Sequence, residues 1–567
     1  MHERAGNATF TDADGLVKFT AHNIFPASEE LDNALWTKVG INITPNAIAG
    51  PMTGAMAELH IPSTGLAHYL ATTINTTTIL PSSINVTVAG YMKSAGYNGC
   101  IEVRRKDSSY CSAAFDLVNG VVLTSSNLVS SSITDVGGGW YLCSIVYNTM
   151  TGSTISQPAF HCSNGSSISY TADGTSGTYF WGLHCYRNDM PCGLNYENGT
   201  YYVATGAVGR YLPRINHYIN GVKEGFLVEN VTKANQIWPS ESLSSVWFNS
   251  GISITGGFTS PSGQATAQKI TVTGAGSSTY QTKVITATAV TLSCWVKRGN
   301  FDSEATFKFQ LYNLTAAAET GSMSFNFSTL DLTTTGSPTM SGVITYPDGW
   351  YRIYVSLNIV SGNNYQLFMG RSGTGTINNF HYQWGMQVEY DGLLSSYIPT
   401  TTAAVTRAAD INVGIAGTDV PLTTPISIQM SGKMSYTDTN NANQLEFYRR
   451  EFDNYNYISN RLSTLGAITG RVTPRNRIAT VAMSSAKAVD QYVPGIDLAF
   501  NIATRHTDTT IQGAERGDLL TAGGTVTGVA DMAGVPVYFG GGQVTVKKLR
   551  VWVADIGSAG ITLASTQ

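Results

Sequence analysis

The densest group of side chains able to do chemistry lies near residue 450. The run LEFYRREFDNYNY sets Glu446, Glu451 and Asp453 among Arg449 and Arg450, with Tyr448, Phe452, Tyr455 and Tyr457 beside them. A glycoside hydrolase needs two carboxylates on facing strands. With arginines interleaved, a solvated charged face is the plainer reading of these acids. The four aromatic residues are candidates for a glycan-binding surface, because an aromatic face covers the apolar patch of a pyranose ring. At period 2, Tyr455 and Tyr457 share one face and are expected to be buried together or exposed together. Burial of alternate members in a core is the competing reading.

Other chemistry is sparse. The sequence contains no H-E-x-x-H, G-x-S-x-G, Walker loop or dinucleotide fingerprint. Its nine histidines are scattered singly. No catalytic residue, metal ligand set or cofactor site is therefore expected, and the chain reads as a non-enzyme. Asp12-Ala13-Asp14-Gly15 has the acidic spacing of a calcium loop, but the ligand pattern does not continue, which favours a plain Asp-Gly turn. Six of seven cysteines (Cys100, Cys111, Cys143, Cys162, Cys185, Cys192) fall within one hundred-residue stretch, and Cys294 stands alone. They read equally as three disulfides or as buried thiols. The candidate pair is Cys100–Cys111, which brackets a hairpin turning near Lys106-Asp107-Ser108.

These residues sit on a duplicated scaffold. NIFPASEELDNALWTKVGINIT from Asn23 answers NQIWPSESLSSVWFNSGISIT from Asn235, matching Trp36 to Trp247. VTVAGYMK, ending at Lys93, answers VTLSCWVK, ending at Lys297. Gly139-Trp140-Tyr141 answers Gly349-Trp350-Tyr351, and TYFWGLHCY around Trp181 answers FHYQWGMQVEY around Trp384. Self-similarity at so long a period marks a tandem duplication. Trp36, Trp140 and Trp181 read as core plugs, with sugar stacking as the alternative.

At 567 residues the chain exceeds a single core. Charged residues make up only 12%, and Thr, Ser, Gly and Asn take their place, which favours strands and tight turns. Alternation in Ile84-Asn85-Val86-Thr87-Val88 and Ile101-Glu102-Val103-Arg104 has the period of half-buried strands. The expected fold is all-β: tandem antiparallel β-sandwiches of jelly-roll type, two related repeats followed by a different sandwich. The boundaries read as 1–22 (entry segment), 23–192 (first, Cys-rich repeat), 193–231 (ordered linker whose Phe226-Leu227-Val228 docks on a domain), 232–409 (second repeat) and 410–567 (last sandwich). In the last region, strands are expected at 477–482, 498–504 and 544–553, with a strand or short helix from Ile561. The net charge of −4 and the lack of a basic run argue against nucleic acid. No 18-residue apolar stretch marks a membrane span, and the polar MHERAGNATFTDADG has no signal-peptide apolar region.

The motifs together resemble a module common in bacteriophage virion proteins, mostly tail fibre, tailspike or other structural proteins. They stand here as Arg4-Ala5 and Asp12-Ala13-Asp14-Gly15, then Pro213-Arg214 and Gly225-Phe226-Leu227-Val228-Glu229. Next come Gly349-Trp350-Tyr351-Arg352 and Trp384-Gly385-Met386-Gln387-Val388-Glu389. Ser396-Tyr397-Ile398-Pro399-Thr400 and Val405-Thr406-Arg407-Ala408-Ala409-Asp410 close the pattern. The first repeat departs from it, with His184 and Tyr186 in place of Gln and Glu. The resemblance implies carbohydrate-binding-module-like jelly rolls and a C-terminal concanavalin/laminin-G-like sandwich. It implies a non-enzymatic head fibre, tail fibre or decoration protein on the virion surface, made in the host cytoplasm. Its expected partners are other virion proteins, further copies of itself (a trimer is the usual fibre form) and host surface polysaccharide, bound weakly and multivalently in host attachment. The alternative is a secreted bacterial polysaccharide-binding or polysaccharide-degrading protein.

Overall fold

The computed structural model describes all residues except 1–2, 5, 76–78, 153–154, 244–245, 301–305, 372–375, 412–413, 421–424, 479–480, 485–491, 522–531 and 533. The regular secondary structure described is almost entirely antiparallel strand, and the chain divides into two units, 18–212 and 1–17 with 213–567.

The unit 18–212 is the first repeat, a sandwich of two sheets. One runs Ser130–Gly137, Trp140–Asn148, Asn85–Ala95, Gly177–Arg187, Met56–Pro62, Ile41–Ala49. The other runs Val121–Ser126, Tyr110–Asp116, Asn98–Arg104, Ile155–Ser163, Tyr69–Ala71, Thr37–Val39. Alternate residues of both fill the space between them. Val86, Val88, Cys143, Ile145, Ile101, Val103 and Phe115 are buried there around Trp36 and Phe160.

The second repeat, in the other unit, has the same strand order in both sheets. Met340–Thr345, Trp350–Asn358, Ala289–Arg298, Phe380–Glu389, Ala267–Val272 and Ile252–Phe258 form one. Leu332–Thr335, Ala318–Asn326, Thr306–Asn313, Asn364–Arg371, Ser278–Val284 and Phe248–Ser250 form the other. The duplication is also visible in single hydrogen bonds. Asn23 Nδ2 donates to the carbonyls of Leu183 and Val203, and Asn235 Nδ2 donates to those of Met386 and Ile398. Trp36 Nε1 donates to Ala27 O and Trp247 Nε1 to Pro239 O. Each bond satisfies a buried donor that would otherwise cost about 1–3 kcal/mol.

The repeated Trp-Gly pair has a backbone cause. Gly182 and Gly385 lie at β-bulges with φ of +60° and +65°. A Cβ at Gly385 would stand 2.7 Å from the Trp295 ring. Only glycine fits both the left-handed backbone and the ring beneath it.

The connector departs from the sequence expectation. Residues 193–212 belong to the first repeat: Tyr202 and Val203 close it, and Arg210–Tyr211 pairs with His22–Asn23. The signal was present, since Tyr202-Val203-Ala204-Thr205 parallels Tyr397-Ile398-Pro399-Thr400. Residues 214–229 then form a hairpin in the last sandwich. Its seven-stranded sheet runs Arg214–Ile219, Val222–Glu229, Gln543–Trp552, Ile426–Tyr436, Gly495–His506, Ile511–Glu515, Asp518–Leu519. Val228 is fully buried in the core of that sandwich with Met430, Phe447, Phe500 and Ile502. The facing sheet runs Gly414–Ile415, Val537–Gly541, Leu445–Asp453, Asn456–Ser463, Arg471–Ile478, Val481–Ser484. The expected strand over 477–482 falls at the join of the last two, where 479–480 lie outside the described residues. The tail forms the helix Gly557–Ala564, which buries Ile561 and Ala564 against Ala503 and Ala514.

The cysteines are free thiols. The hairpin turns where expected, but its register sets Cys100 opposite Ala114 and Cys111 opposite Val103. With period 2, Cys111 shares the core face with Val103 while Cys100 points to the other side of the sheet, so the pair cannot join. Burial pushes the Cys111, Cys162 and Cys192 thiols up to about 12. Asp12 caps a plain turn, its Oδ1 accepting from Asp14 N and Leu16 N.

Candidate functional site

One sheet of each jelly roll carries a second aromatic layer on the face turned away from the core. In the first repeat, alternation puts Tyr91, Trp140, Leu142 and Trp181 there, and Tyr202 from the closing segment packs over them. In the second repeat Trp295, Trp350, Arg352 and Trp384 hold the matching positions, and Tyr397 matches Tyr202. The covering tyrosines are anchored alike. Tyr202 Oη bonds to Ser28 Oγ and donates to Glu29 Oε1, while Tyr397 Oη bonds to Ser240 Oγ and donates to Glu241 Oε1. Trp140, Trp181, Trp350 and Trp384 are at most 4% exposed. They are buried, as expected, but Trp140 and Trp181 in the first repeat and Trp295, Trp350 and Trp384 in the second plug this outer layer, while Trp36 and Trp247 fill the sandwich cores.

The second repeat differs at one decisive position. Leu142 in the first repeat is Arg352 in the second. Arg352 is 5% exposed and its guanidinium lies 4.4 Å from the Trp295 ring centre. Its hydrogen bond goes to Ser293 Oγ at 3.4 Å, and among the described residues no carboxylate reaches it within ion-pair distance. Burial pushes its pKa down, opposed by Tyr346 and the more distant Glu389 and Glu229.

Arg352 lines a recess of about 70 Å³ with Trp295, Tyr346, Tyr397, His217 and Asp497. The recess opens at the exposed residues Asn220, Gly221 and Pro347. The aspartate turn forms part of its wall. Gly15 has φ +74° and a Cβ there would stand 2.3 Å from Pro347 Cγ, so the segment packs this closely only with glycine. Burial raises Asp497 to about 6 against the opposing pull of Lys433. Burial, reinforced by Arg214, lowers His217 to about 3, so the ring is neutral and accepts from Thr11 N through Nδ1. The recess therefore offers aromatic faces, a guanidinium donor, a carboxyl that titrates near neutrality and phenolic hydroxyls.

Behind it, the motif residues join in one buried ionic network. Arg214 contacts Glu229 and Asp410 (2.5 Å to the latter), and Arg407 Nε lies 3.6 Å from Glu229. Ser396 donates to Glu229 from N and Oγ at 2.8 and 2.6 Å. Although burial opposes it, Arg407 and Arg214 hold Glu229 well below the usual carboxylate range. The Pro-Arg, Leu-Val-Glu, Ser-Tyr-Ile-Pro-Thr and Thr-Arg-Ala-Ala-Asp motifs thus serve one structural purpose. They lock the hairpin to the second repeat and set the recess wall.

The four aromatic candidates near residue 450 do not form one surface. Tyr448 is buried in the core, its hydroxyl bonded to Thr504 and His506. Phe452 is 67% and Tyr455 55% exposed, but Tyr457 is only 5% exposed. Tyr455 and Tyr457 differ in exposure because Tyr455 stands in the turn between Leu445–Asp453 and Asn456–Ser463, whereas the guanidinium groups of Arg449 and Arg475 lie over the Tyr457 ring. Glu446 and Glu451 are both ion-paired to Arg449, at 3.4 and 2.6 Å, and Arg450 is fully buried.

Sequence reasoning named Arg352 only as a motif member and left out Trp295, Tyr346 and Asp497 as site residues. The available signal was the mismatch within an otherwise faithful repeat, where Arg352 replaces Leu142.

No protein-family model matches the chain, and no curated protein matches it. Among solved structures it is similar to the N-terminal CBM22-1–CBM22-2 tandem domain of Xyn10C from Paenibacillus barcinonensis. The identity is 12%, the match covers 64% of this chain and 96% of that one, and the TM-score is 0.23.

Proposed function

We propose that this chain is a non-catalytic carbohydrate-binding protein displayed on a virion surface, where it aids attachment to host glycans. The observation that carries the carbohydrate reading is the buried guanidinium of Arg352, without a carboxylate partner among the described residues, beside Trp295 in an open recess. A buried cation is costly unless partnered, and a sugar's hydroxyl oxygens accept from it while its ring covers the aromatic wall. At ~30 Å³ of liquid volume per water, the recess admits the hydroxylated edge of one sugar, which suits weak, repeated binding rather than a deep single site. The virion reading rests on the motif resemblance and on a tandem array of sandwiches suited to multivalent display. The ion pairing of Glu446 and Glu451 to Arg449 supports the non-catalytic reading.

The test uses the full chain and a panel of glucose, galactose, N-acetylglucosamine and glucuronate, read by ligand-observed NMR. Arg352→Leu installs the residue that the first repeat already tolerates. The expected result is binding of at least one sugar, weakened tenfold or more in R352L (~1.4 kcal/mol) with unchanged melting temperature. Equal binding by R352L, or none by the parent, overturns the pocket reading. Antibody labelling of purified particles tests display, and absence of the chain from particles overturns that part.

A further inference from the structure

We infer that the outer face of the six-stranded sheet in the last sandwich is a second binding site, one that takes an acidic polysaccharide. Period and register decide which side chains this face presents. In Asn456–Ser463 the core takes Ile458 and Leu462, which turns Tyr457, Ser459 and Arg461 outward. In Arg471–Ile478 the core takes Val472, which turns Arg471, Thr473, Arg475 and Arg477 outward. Register sets Tyr457 opposite Arg477, Ser459 opposite Arg475 and Arg461 opposite Thr473. Leu445–Asp453 adds Arg449 opposite Ser459 and Glu446 opposite Arg461. Among the described residues, five arginines from three strands thus meet on one face with two carboxylates. The sequence disguises this, because the arginines are spaced two or more apart and no basic run forms. Between Asp453 and Asp490 there is no acidic residue.

Among the described residues, three of these cations are not neutralised. Arg449 takes both Glu446 and Glu451. Among the described residues, Arg461, Arg475 and Arg477 have no carboxylate within 4.0 Å. Arg461 bonds to the Asn443 side chain, Arg477 lies 5.0 Å from the Tyr455 ring, and Arg449 and Arg475 lie 4.1 and 5.8 Å from that of Tyr457. Tyrosine rings hold the guanidinium planes without quenching their charge. The surplus is local, since the whole chain is at −4.

An acidic polysaccharide fits this face in three ways. Planar guanidinium forks match carboxylates bidentately. Outward residues repeat about 4.8 Å across strands and about 6.8 Å along them, on the order of the length of one sugar ring, so successive acid groups of a polymer meet successive arginines. Glu446 and Glu451 lie among the arginines and accept from sugar hydroxyls. The sugar–phosphate backbone of DNA has no such hydroxyl donors and meets repulsion there, which makes DNA the poorer match.

The test measures binding of the full chain to immobilised polygalacturonate, with dextran as the neutral polymer and single-stranded DNA as the phosphate polymer. The expected result is binding to polygalacturonate that falls steeply from 50 to 500 mM salt and weakens at least tenfold in Arg475→Gln/Arg477→Gln. Both side chains are partly exposed, so the fold should survive. Should the double variant misfold, Arg477→Gln alone is expected to give about half the loss in log affinity. No binding to polygalacturonate, dextran binding of equal strength, tighter binding to DNA, or unchanged binding by a folded double variant overturns the inference. The recess at Arg352 involves other side chains, so loss of sugar binding in R352L and loss of polymer binding in R475Q/R477Q are separate results.

Discussion

The two jelly-roll repeats share a backbone and differ in what they build on it. Strand order, the Asn23 and Asn235 clamps and the Trp-Gly bulges are common to both. On the outer face they part. In the first repeat His184 stacks on Tyr186, and Tyr186 on Tyr201. In the second, Gln387, Glu389 and Ser396 occupy those places. Gln387 donates to Glu389 and to Ser396 O, and Ser396 continues into the Arg214–Glu229–Asp410 network. One repeat closes its outer face with rings, the other with charges and a recess. Positions fixed by φ and the asparagines that clamp buried backbone carbonyls stayed constant through the duplication, and positions facing outward were free to take another chemistry.

The largest expected effect breaks this contrast at the charged end. Arg214→Ala leaves Glu229 and Asp410 without their main partner at full burial, which costs about 3–5 kcal/mol. Hydrogen exchange along Val222–Glu229 under urea should show it, and a loss below about 1 kcal/mol would refute the network's role. Tyr201→Ala in the first repeat removes one partly exposed stacking partner and should cost about 1 kcal/mol.

A second difference sharpens the comparison through pH. Glu58 Oε1 accepts from Leu31 N, and Gln268 Oε1 accepts from Leu243 N in the second repeat. Burial raises Glu58 to about 7. A carboxyl raised in the folded state imposes no cost below its unfolded pKa, an increasing cost as pH rises from about 4.5 to 7, and a constant cost above. Glu58→Gln should therefore stabilise the first repeat by up to about 3 kcal/mol at pH 8 and by little at pH 4. Identical gains at both pH values would falsify this assignment. Glu229 has the opposite sign. Its depressed pKa makes its contribution complete above about pH 4.5 and lost progressively on acidification.

The smallest expected effect concerns the cysteines. Reduction should leave the melting temperature of either repeat unchanged, since no bridge is present to break. A structural disulfide would contribute about 2–5 kcal/mol, so a drop of several degrees on adding dithiothreitol would contradict the free-thiol structure.

The strands, the duplication and the hairpin turns were legible because period 2 and Gly/Asn turn chemistry act locally. Strand edges near Leu498 and Val544 were found within a few residues for the same reason. The Cys100–Cys111 pairing failed because a hairpin's register, not its turn position, decides which residues face one another. The Tyr455/Tyr457 inference failed because arginines from neighbouring strands cover the Tyr457 ring while Tyr455 stands out at the turn. The end of the first repeat was missed because Gly193–Gly209 contains little strand signal, although its Tyr-x-x-Thr echo was present.

The sequence alone determined an all-β chain, two copies of one jelly roll and the glycines that their bulges require. These follow from local backbone preference and from burial of alternate residues. Tertiary structure alone decided which residues meet across the sheets. It placed Arg352 against Trp295, brought Arg214, Glu229 and Asp410 together, and set arginines from three strands on one face. Those contacts join residues as much as 196 positions apart, and their energies come from desolvation and charge pairing, which no local pattern encodes.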